Sequence, residues 1–198
     1  MSTPAKVNFK MYQGSTFSEV LHWETNKKVY IPISSIPKAA PTVVTTTGAH
    51  SIPGVWRVRL ENVGGMKEIN SPDDEYYMGT ATSNTTIELN AVNSLGFTAY
   101  TTGGVIEYNQ PVDLTGYTAR MQLREKLDST TVLAEYTTEN GKLLIDTATS
   151  KITIVVDAAT TAGYTFNSAV YSLELVSSGS QVTQLMVGTI TLVKEVTR

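Results

Sequence analysis

Few side chains in this sequence could perform acid–base or nucleophilic chemistry. The chain contains no cysteine and only two histidines, His22 and His50, which excludes thiolate metal sites and cysteine nucleophiles. His22 stands beside Trp23 in a strand-like stretch, and His50 lies in the loop Gly48–Pro53. Neither is accompanied by a motif such as Gly-x-Ser-x-Gly that would supply a nucleophile. We therefore interpret them as a strand-surface histidine and a loop histidine.

The sharpest acidic cluster is Asp73-Asp74-Glu75. Adjacent carboxylates can bind calcium, but this spacing is not that of an EF-hand loop, and the preceding Pro72 is typical of a solvated turn. A glycosidase needs an acid and a base placed by a pocket, and no cleft-forming architecture is evident. The sequence thus predicts no catalytic residues, no metal and no cofactor.

Four arginines are the remaining candidates, and each alternates with apolar residues: Arg57, Arg59, Arg120 and Arg124. This alternation predicts strands over 55–60 and 117–124 with the arginines on the outward faces. It also predicts Trp56, Val58 and Leu60 as core. Because arginine and tyrosine are enriched at protein interfaces, we predict a protein-contact role for the four arginines. The net charge of −3 argues against a nucleic-acid binder.

The elements that hold these arginines are predicted to be strands throughout. The chain is rich in threonine and only 17% of its residues are charged, which favours an all-β fold. Asn26-Lys27-Lys28 is predicted to be a turn, Asp157 and Gly163 to bound one helical turn, and Gly188 to mark a bulge. In the middle of the chain, short strands separated by turns are predicted at Pro41–Thr46, Val55–Leu60, Tyr76–Thr82, Thr85–Leu89 and Val105–Tyr108.

The chain is predicted to form two domains, one inserted into the other. Residues 1–28 hold only two candidate strands, which are marginal alone. We expect them to complete the sheet of residues 110–198. Residues 29–109, marked by prolines and paired glycines, would form an inserted module. The predicted architecture is a β-sandwich with an inserted small β-barrel-like module.

The sequence gives no indication of membrane targeting. The start, Met1–Lys6, is short and polar with no apolar region after it, so no secretory signal is predicted. The longest run that is mainly apolar, Ile152–Val156, is far too short to span a bilayer. We expect a soluble protein made in a cytoplasm, with no membrane partner.

Several segments resemble the N-terminal domain of the baseplate upper protein family of tailed bacteriophages. The similarity lies in the order of its motifs: a Gln-Gly-x-Thr-Phe stretch at 13–17, a Trp-bearing strand, the Asp-Leu-Thr-Gly-Tyr strand at 113–117, an Asn-Gly turn, an Ala-Thr-Thr-Ala-Gly turn and a closing hairpin. These motifs cover 1–28 and 110–198. The 29–109 insert departs from the family, and its segments 36–45, 63–70 and 96–104 resemble a small β module common in phage tail proteins.

The resemblance implies a non-enzymatic virion protein, an adaptor or connector in the tail, neck or baseplate. Its partners would be other virion proteins in a symmetric assembly. Two alternatives stay open: a capsid decoration protein, and a host-surface carbohydrate-binding module or small glycan hydrolase. The sugar-binding alternative would need an exposed aromatic platform or converging carboxylates. The only aromatic candidates are in the insert: Trp56, Tyr76, Tyr77 and Tyr100.

Overall fold

The structure is a computed structural model that describes residues 3–196. Among them the predicted all-β class is confirmed, because fifteen strands account for nearly all regular structure. The elements, in chain order, are β1 (Ala5–Lys6), β2 (Phe9–Tyr12), β3 (Phe17–His22), β4 (Glu24–Ser35), β5 (Thr42–Thr46), β6 (Val55–Gly64), β7 (Tyr77–Ala81), β8 (Thr86–Leu89), β9 (Thr102–Pro111), β10 (Thr118–Arg124), β11 (Val132–Thr137), β12 (Leu143–Asp146), β13 (Lys151–Val156), α1 (Ala158–Ala162), β14 (Ser168–Val176) and β15 (Val182–Val193).

The chain divides into two compact units. The sandwich unit comprises the residues up to His22, Asp113–Thr147 and the residues from Lys151 onward. The barrel unit comprises Trp23–Val112 together with Ala148–Ser150. The sequence prediction placed the breaks near 28 and 110, whereas β4 and β9 belong to the barrel unit over their whole length.

The sandwich unit contains two sheets. In the six-stranded sheet the strand order is β1-β15-β14-β10-β11, and the sixth strand, β2, also pairs with β15. The three-stranded sheet has the order β12-β13-β3. In each sheet, buried and more exposed side chains alternate along the strands, so the apolar side chains of one face form the core. The larger sheet contributes Met121, Leu123, Leu173, Leu175 and Ile190, and the smaller contributes Phe17, Leu143, Ile152, Ile154 and Val156.

The N-terminal strands pair with the last strand of the six-stranded sheet. β1 and β2 both run parallel to β15, with Ala5 opposite Met186 and Phe9 opposite Ile190. Gly188 does not mark a bulge, as the sequence suggested, because the irregularity in β14–β15 pairing falls between Leu173 and Glu174. Instead, Gly188 leaves room for the Val7 carbonyl, which lies where a Cβ would project.

The barrel unit is a closed barrel with the order β4-β5-β8-β7-β6-β9. Trp56, Val58 and Leu60 are buried in it, so their prediction as core is confirmed. The Trp56 indole N–H also donates to the Asn109 carbonyl at 3.0 Å, which satisfies its only polar atom. Closure leaves each of the six strands with a neighbour on both sides.

The predicted turn at Asn26-Lys27-Lys28 is wrong. These residues lie inside β4, which runs from Glu24 to Ser35. The pairing of β4 with β9 shifts register between Glu24 and Lys28, so the polar triplet occupies a strand irregularity. Its local polarity resembles a turn, but pairing with β9 on both sides of the triplet overrides that preference.

The predicted helical turn is confirmed as α1. Asp157 caps its N-terminus, since its carboxylate accepts hydrogen bonds from the Thr160 N–H and hydroxyl, both at 2.7 Å. Gly163 ends the helix. These hydrogen bonds favour the ionised carboxylate and lower the pKa of Asp157 below its ordinary value.

Asp157→Ala should lower the melting temperature at pH 7, and the difference from the wild type should shrink on acidification. The pKa of Asp157 is lower in the folded state than in the unfolded state. The cap therefore contributes its full stabilisation to the folded protein at pH values above the unfolded-state pKa, and this stabilisation is lost as the pH falls through the folded-state pKa. Melting curves of the wild type and Asp157→Ala between about pH 7 and pH 2 measure how this difference in melting temperature changes. Asp128→Ala, in an exposed loop of the same unit, is the control. A difference that stays constant over this range would contradict the assignment.

Candidate functional site

A concave surface lies on the outer face of the six-stranded sheet, and we call it the sheet-face groove. Its volume is about 690 Å³, and the residues that line it include Lys6, Arg120, Gln122, Arg124, Leu127 and Glu135. Two of the four arginines predicted to contact protein therefore lie together in one groove. The other two lie in the barrel unit.

Alternation in β10 determines which side chains reach the groove. Ala119, Met121 and Leu123 are buried in the sandwich core, so Arg120 and Arg124 project from the opposite face. The register brings further polar side chains beside them. Arg120 lies opposite Glu174 of β14 and Thr137 of β11. The outward direction of both arginines follows from the sequence pattern alone.

Hydrogen bonds hold the charged groups of the groove in fixed positions. The Arg120 Nε donates to the Glu174 carboxylate at 2.8 Å. The Gln122 amide N–H donates to Glu135 at 2.7 Å, while its carbonyl oxygen accepts from the Arg124 guanidinium at 2.7 Å. Long side chains ordered in this way lose less conformational entropy when a partner binds.

Arg124 differs from Arg120 in having no carboxylate among its described hydrogen-bond partners, so it is suited to meet a partner's acidic group. Its two described hydrogen-bond partners, the Gln122 amide oxygen and the Ser129 carbonyl at 2.5 Å, are both neutral. Leu127, in the loop that follows β10, is 86% exposed and adds an apolar contact to the same groove. A fixed guanidinium beside an exposed apolar side chain is suited to protein recognition.

Arg57 and Arg59 are occupied within the barrel unit. The Arg57 guanidinium pairs with Glu24, which raises its pKa, and lies 4.8 Å from the centre of the Tyr76 ring. Arg59 faces away from the barrel core but is only 9% exposed. Its guanidinium lies 3.4 Å from the Glu61 carboxylate and donates to the Pro72 carbonyl. Arg59 is thus largely covered by its own unit, so its accessible surface is small.

Sequence reasoning missed a buried carboxylate beside Arg59. Glu107 of β9 is 3% exposed and stands opposite Arg59 and Tyr30 on the two neighbouring strands. The Lys28 ammonium lies 2.6 Å from it, and this contact raises the pKa of Lys28. The sequence feature that could have revealed it is the alternation of Glu107 with the apolar residues Ile106 and Tyr108. This alternation places the Glu107 carboxylate on the face of β9 that points away from the barrel core.

The two histidines belong to different units, His22 to the sandwich unit and His50 to the barrel unit. His22 is exposed at the end of β3, as expected of a strand-surface residue. His50 is buried rather than on an open loop. Its main-chain N–H donates to the Asn84 main-chain carbonyl, and burial lowers the pKa of its imidazole. Residues 3–196 contain no group of three or more histidine or acidic residues arranged to hold a metal. The Asp73 side chain is fully exposed.

The aromatic candidates for sugar binding do not form an exposed platform. Trp56 is buried, and Tyr77 and Tyr100 pack against the barrel core. The Tyr100 hydroxyl donates to the Ile33 and Gly103 carbonyls, and the Tyr76 ring lies beside Arg57 and Arg59.

No protein-family model matches this chain, and no curated protein matches its sequence significantly. Within residues 3–196, no helix has the length and apolar character that crossing a bilayer requires. The function must therefore be argued from the sheet-face groove and the sequence resemblance.

Proposed function

We propose that this protein is a non-enzymatic structural component of a tailed-bacteriophage virion, an adaptor or connector in the tail, neck or baseplate. It would dock to other virion proteins by protein–protein contacts. The observation that carries the docking role is the sheet-face groove, where Arg120 and Arg124 are held by hydrogen bonds. The motif order at 1–28 and 110–198 supports the virion setting.

The chemistry of the groove supports recognition of a protein surface. Its charged side chains are already oriented, and their aliphatic stems together with Leu127 and Val170 provide apolar contact area. Arginine combined with apolar surface is typical of the energetically dominant parts of interfaces. We place the main contact on the sandwich unit, because the described hydrogen-bond partners of Arg124 are neutral, whereas Arg57 and Arg59 both contact carboxylates of the barrel unit.

The number of copies per particle tests the proposal. Quantitative mass spectrometry of purified virions should find about six to a few tens of copies, since closed rings set the stoichiometry of tail and neck parts. Hundreds of copies would indicate capsid decoration instead. Absence from the particle would overturn the structural role.

A groove variant tests the docking surface itself. Arg124→Glu should reduce incorporation into virions at least about tenfold when it competes with the wild-type chain, because it reverses the charge that meets the partner. Lys126→Glu, two residues further along in the exposed loop, is the matched control and should incorporate normally. Equal incorporation of both variants would place the docking surface elsewhere.

A further inference from the structure

Within residues 3–196, the six-stranded sheet has two open edges that are suited to each other. One edge is β11, and the other is formed by β1 and β2, which lie end to end along β15. We propose that copies of this chain associate by antiparallel pairing of β11 of one copy with β2 of the next. This deepens the proposed structural role, because it names a second copy of the chain as one partner.

Strand direction makes the two edges compatible. β11, β10, β14 and β15 are successively antiparallel, and β1 and β2 run parallel to β15. β11 therefore runs opposite to β2, so a second sheet placed beside the first in the same orientation would meet it as an antiparallel neighbour. Such a contact joins two different surfaces and is repeated by each new copy, which generates a ring or an open helix.

The backbone groups at both edges have the alternation that pairing requires. On β11, the Thr138 N–H bonds to Ala119 of β10, so the N–H and C=O groups of Glu135 and Thr137 point to the open edge. On the other edge, the N–H groups of Val7 and Gln13 bond to β15, so those of Lys10 point outward. Glu135 and Lys10 can thus form a hydrogen-bonded pair.

The side chains favour the same alignment. Glu135 lines the sheet-face groove, and Lys10 lies on that face too, because it alternates with the buried Met11. Opposite residues in an antiparallel pair share a face, so Lys10 would meet Glu135 as an opposite charge. The same register places Tyr12, which is 56% exposed, opposite Leu133, which is 36% exposed.

Asn140 covers part of the β11 edge in the isolated chain. Its amide donates to the Glu135 carbonyl at 3.0 Å and accepts from the Thr137 N–H at 2.9 Å, where the groups of an added strand would bind. Pairing with a second copy exchanges these hydrogen bonds for others of the same kind. Association is therefore weak in dilute solution and favoured at high local concentration.

Sedimentation velocity of the full chain over roughly 1 µM to 1 mM tests the inference. Asn140→Ala should tighten self-association about tenfold, because the edge loses its cover, whereas Glu139→Ala in the same turn should not. Glu135→Lys and Lys10→Glu should each weaken it about tenfold through like-charge contact. The double variant should restore it, since the charges are exchanged.

Two results would overturn the inference. In the first, sedimentation velocity finds only monomer at all concentrations even for Asn140→Ala, while the melting curve of that variant shows that it is folded. The other is self-association that neither charge reversal weakens, which would place the contact elsewhere. Both are distinct from failure of the virion role: a chain counted in purified particles but monomeric in solution retains its structural role and loses this partner.

Discussion

Trp56→Ala is expected to lower the free energy of unfolding of the barrel unit by about 3–5 kcal/mol. The indole is 1% exposed in the core of the closed barrel, so its removal leaves a cavity that the surrounding strands fill only partly. The variant also loses the indole hydrogen bond to the Asn109 carbonyl. Guanidinium unfolding followed by far-UV circular dichroism measures the loss.

An exposed apolar residue of the same unit serves as the control for Trp56. Leu95 is 61% exposed, so Leu95→Ala should change the free energy of unfolding by less than about 0.5 kcal/mol. Equal losses for Trp56→Ala and Leu95→Ala would mean that Trp56 does not lie in the barrel core.

Gly188→Ala is expected to lower the free energy of unfolding by about 3 kcal/mol, which is the upper end of the usual range for overpacking a core. A Cβ at this position would overlap the Val7 carbonyl oxygen, and a backbone group cannot move aside by changing rotamer. Val7 joins β1 to β2, and its carbonyl also accepts a hydrogen bond from the Tyr171 hydroxyl at 2.8 Å. The substitution should therefore displace both N-terminal strands from β15.

Hydrogen exchange localises this effect. Amides of residues 5–12 should exchange much faster in Gly188→Ala, whereas those of β10 should change less. Gly179→Ala is the matched control, because a Cβ there meets its nearest neighbour, the Ser177 hydroxyl oxygen, at an ordinary 3.8 Å. Unchanged protection of residues 5–12 would contradict the close approach of Val7.

Alternation made much of the fold predictable. In β6 and β10 it distinguished the core residues from the outward arginines correctly, because side chains of a strand point to opposite faces whatever the partner strands are. The cap of α1 was equally local, since Asp157 contacts a residue only three positions away. These features depend on near neighbours in the sequence.

The remaining features depend on distant parts of the chain. The polar triplet at 26–28 belongs to a strand only because β9, some eighty residues later in the sequence, pairs with it. Gly188 could be understood only once Val7 was placed beside it. In the same way, nothing near Arg59 in the sequence showed that it would be covered, or that Gln122 would orient Arg124.

The two ends of the segment Trp23–Val112, which forms nearly all of the barrel unit, lie next to each other. Glu24 at the start of β4 is paired with Pro111 at the end of β9, and the Val112 N–H donates to the Trp23 carbonyl at 3.0 Å. When the first and last residues of an inserted module are adjacent, the two host residues that flank it stay close together. The insertion therefore costs the host domain little loop-closure entropy. A single insertion between positions 22 and 113 therefore accounts for this segment, and it leaves the order of the sandwich strands along the chain unchanged.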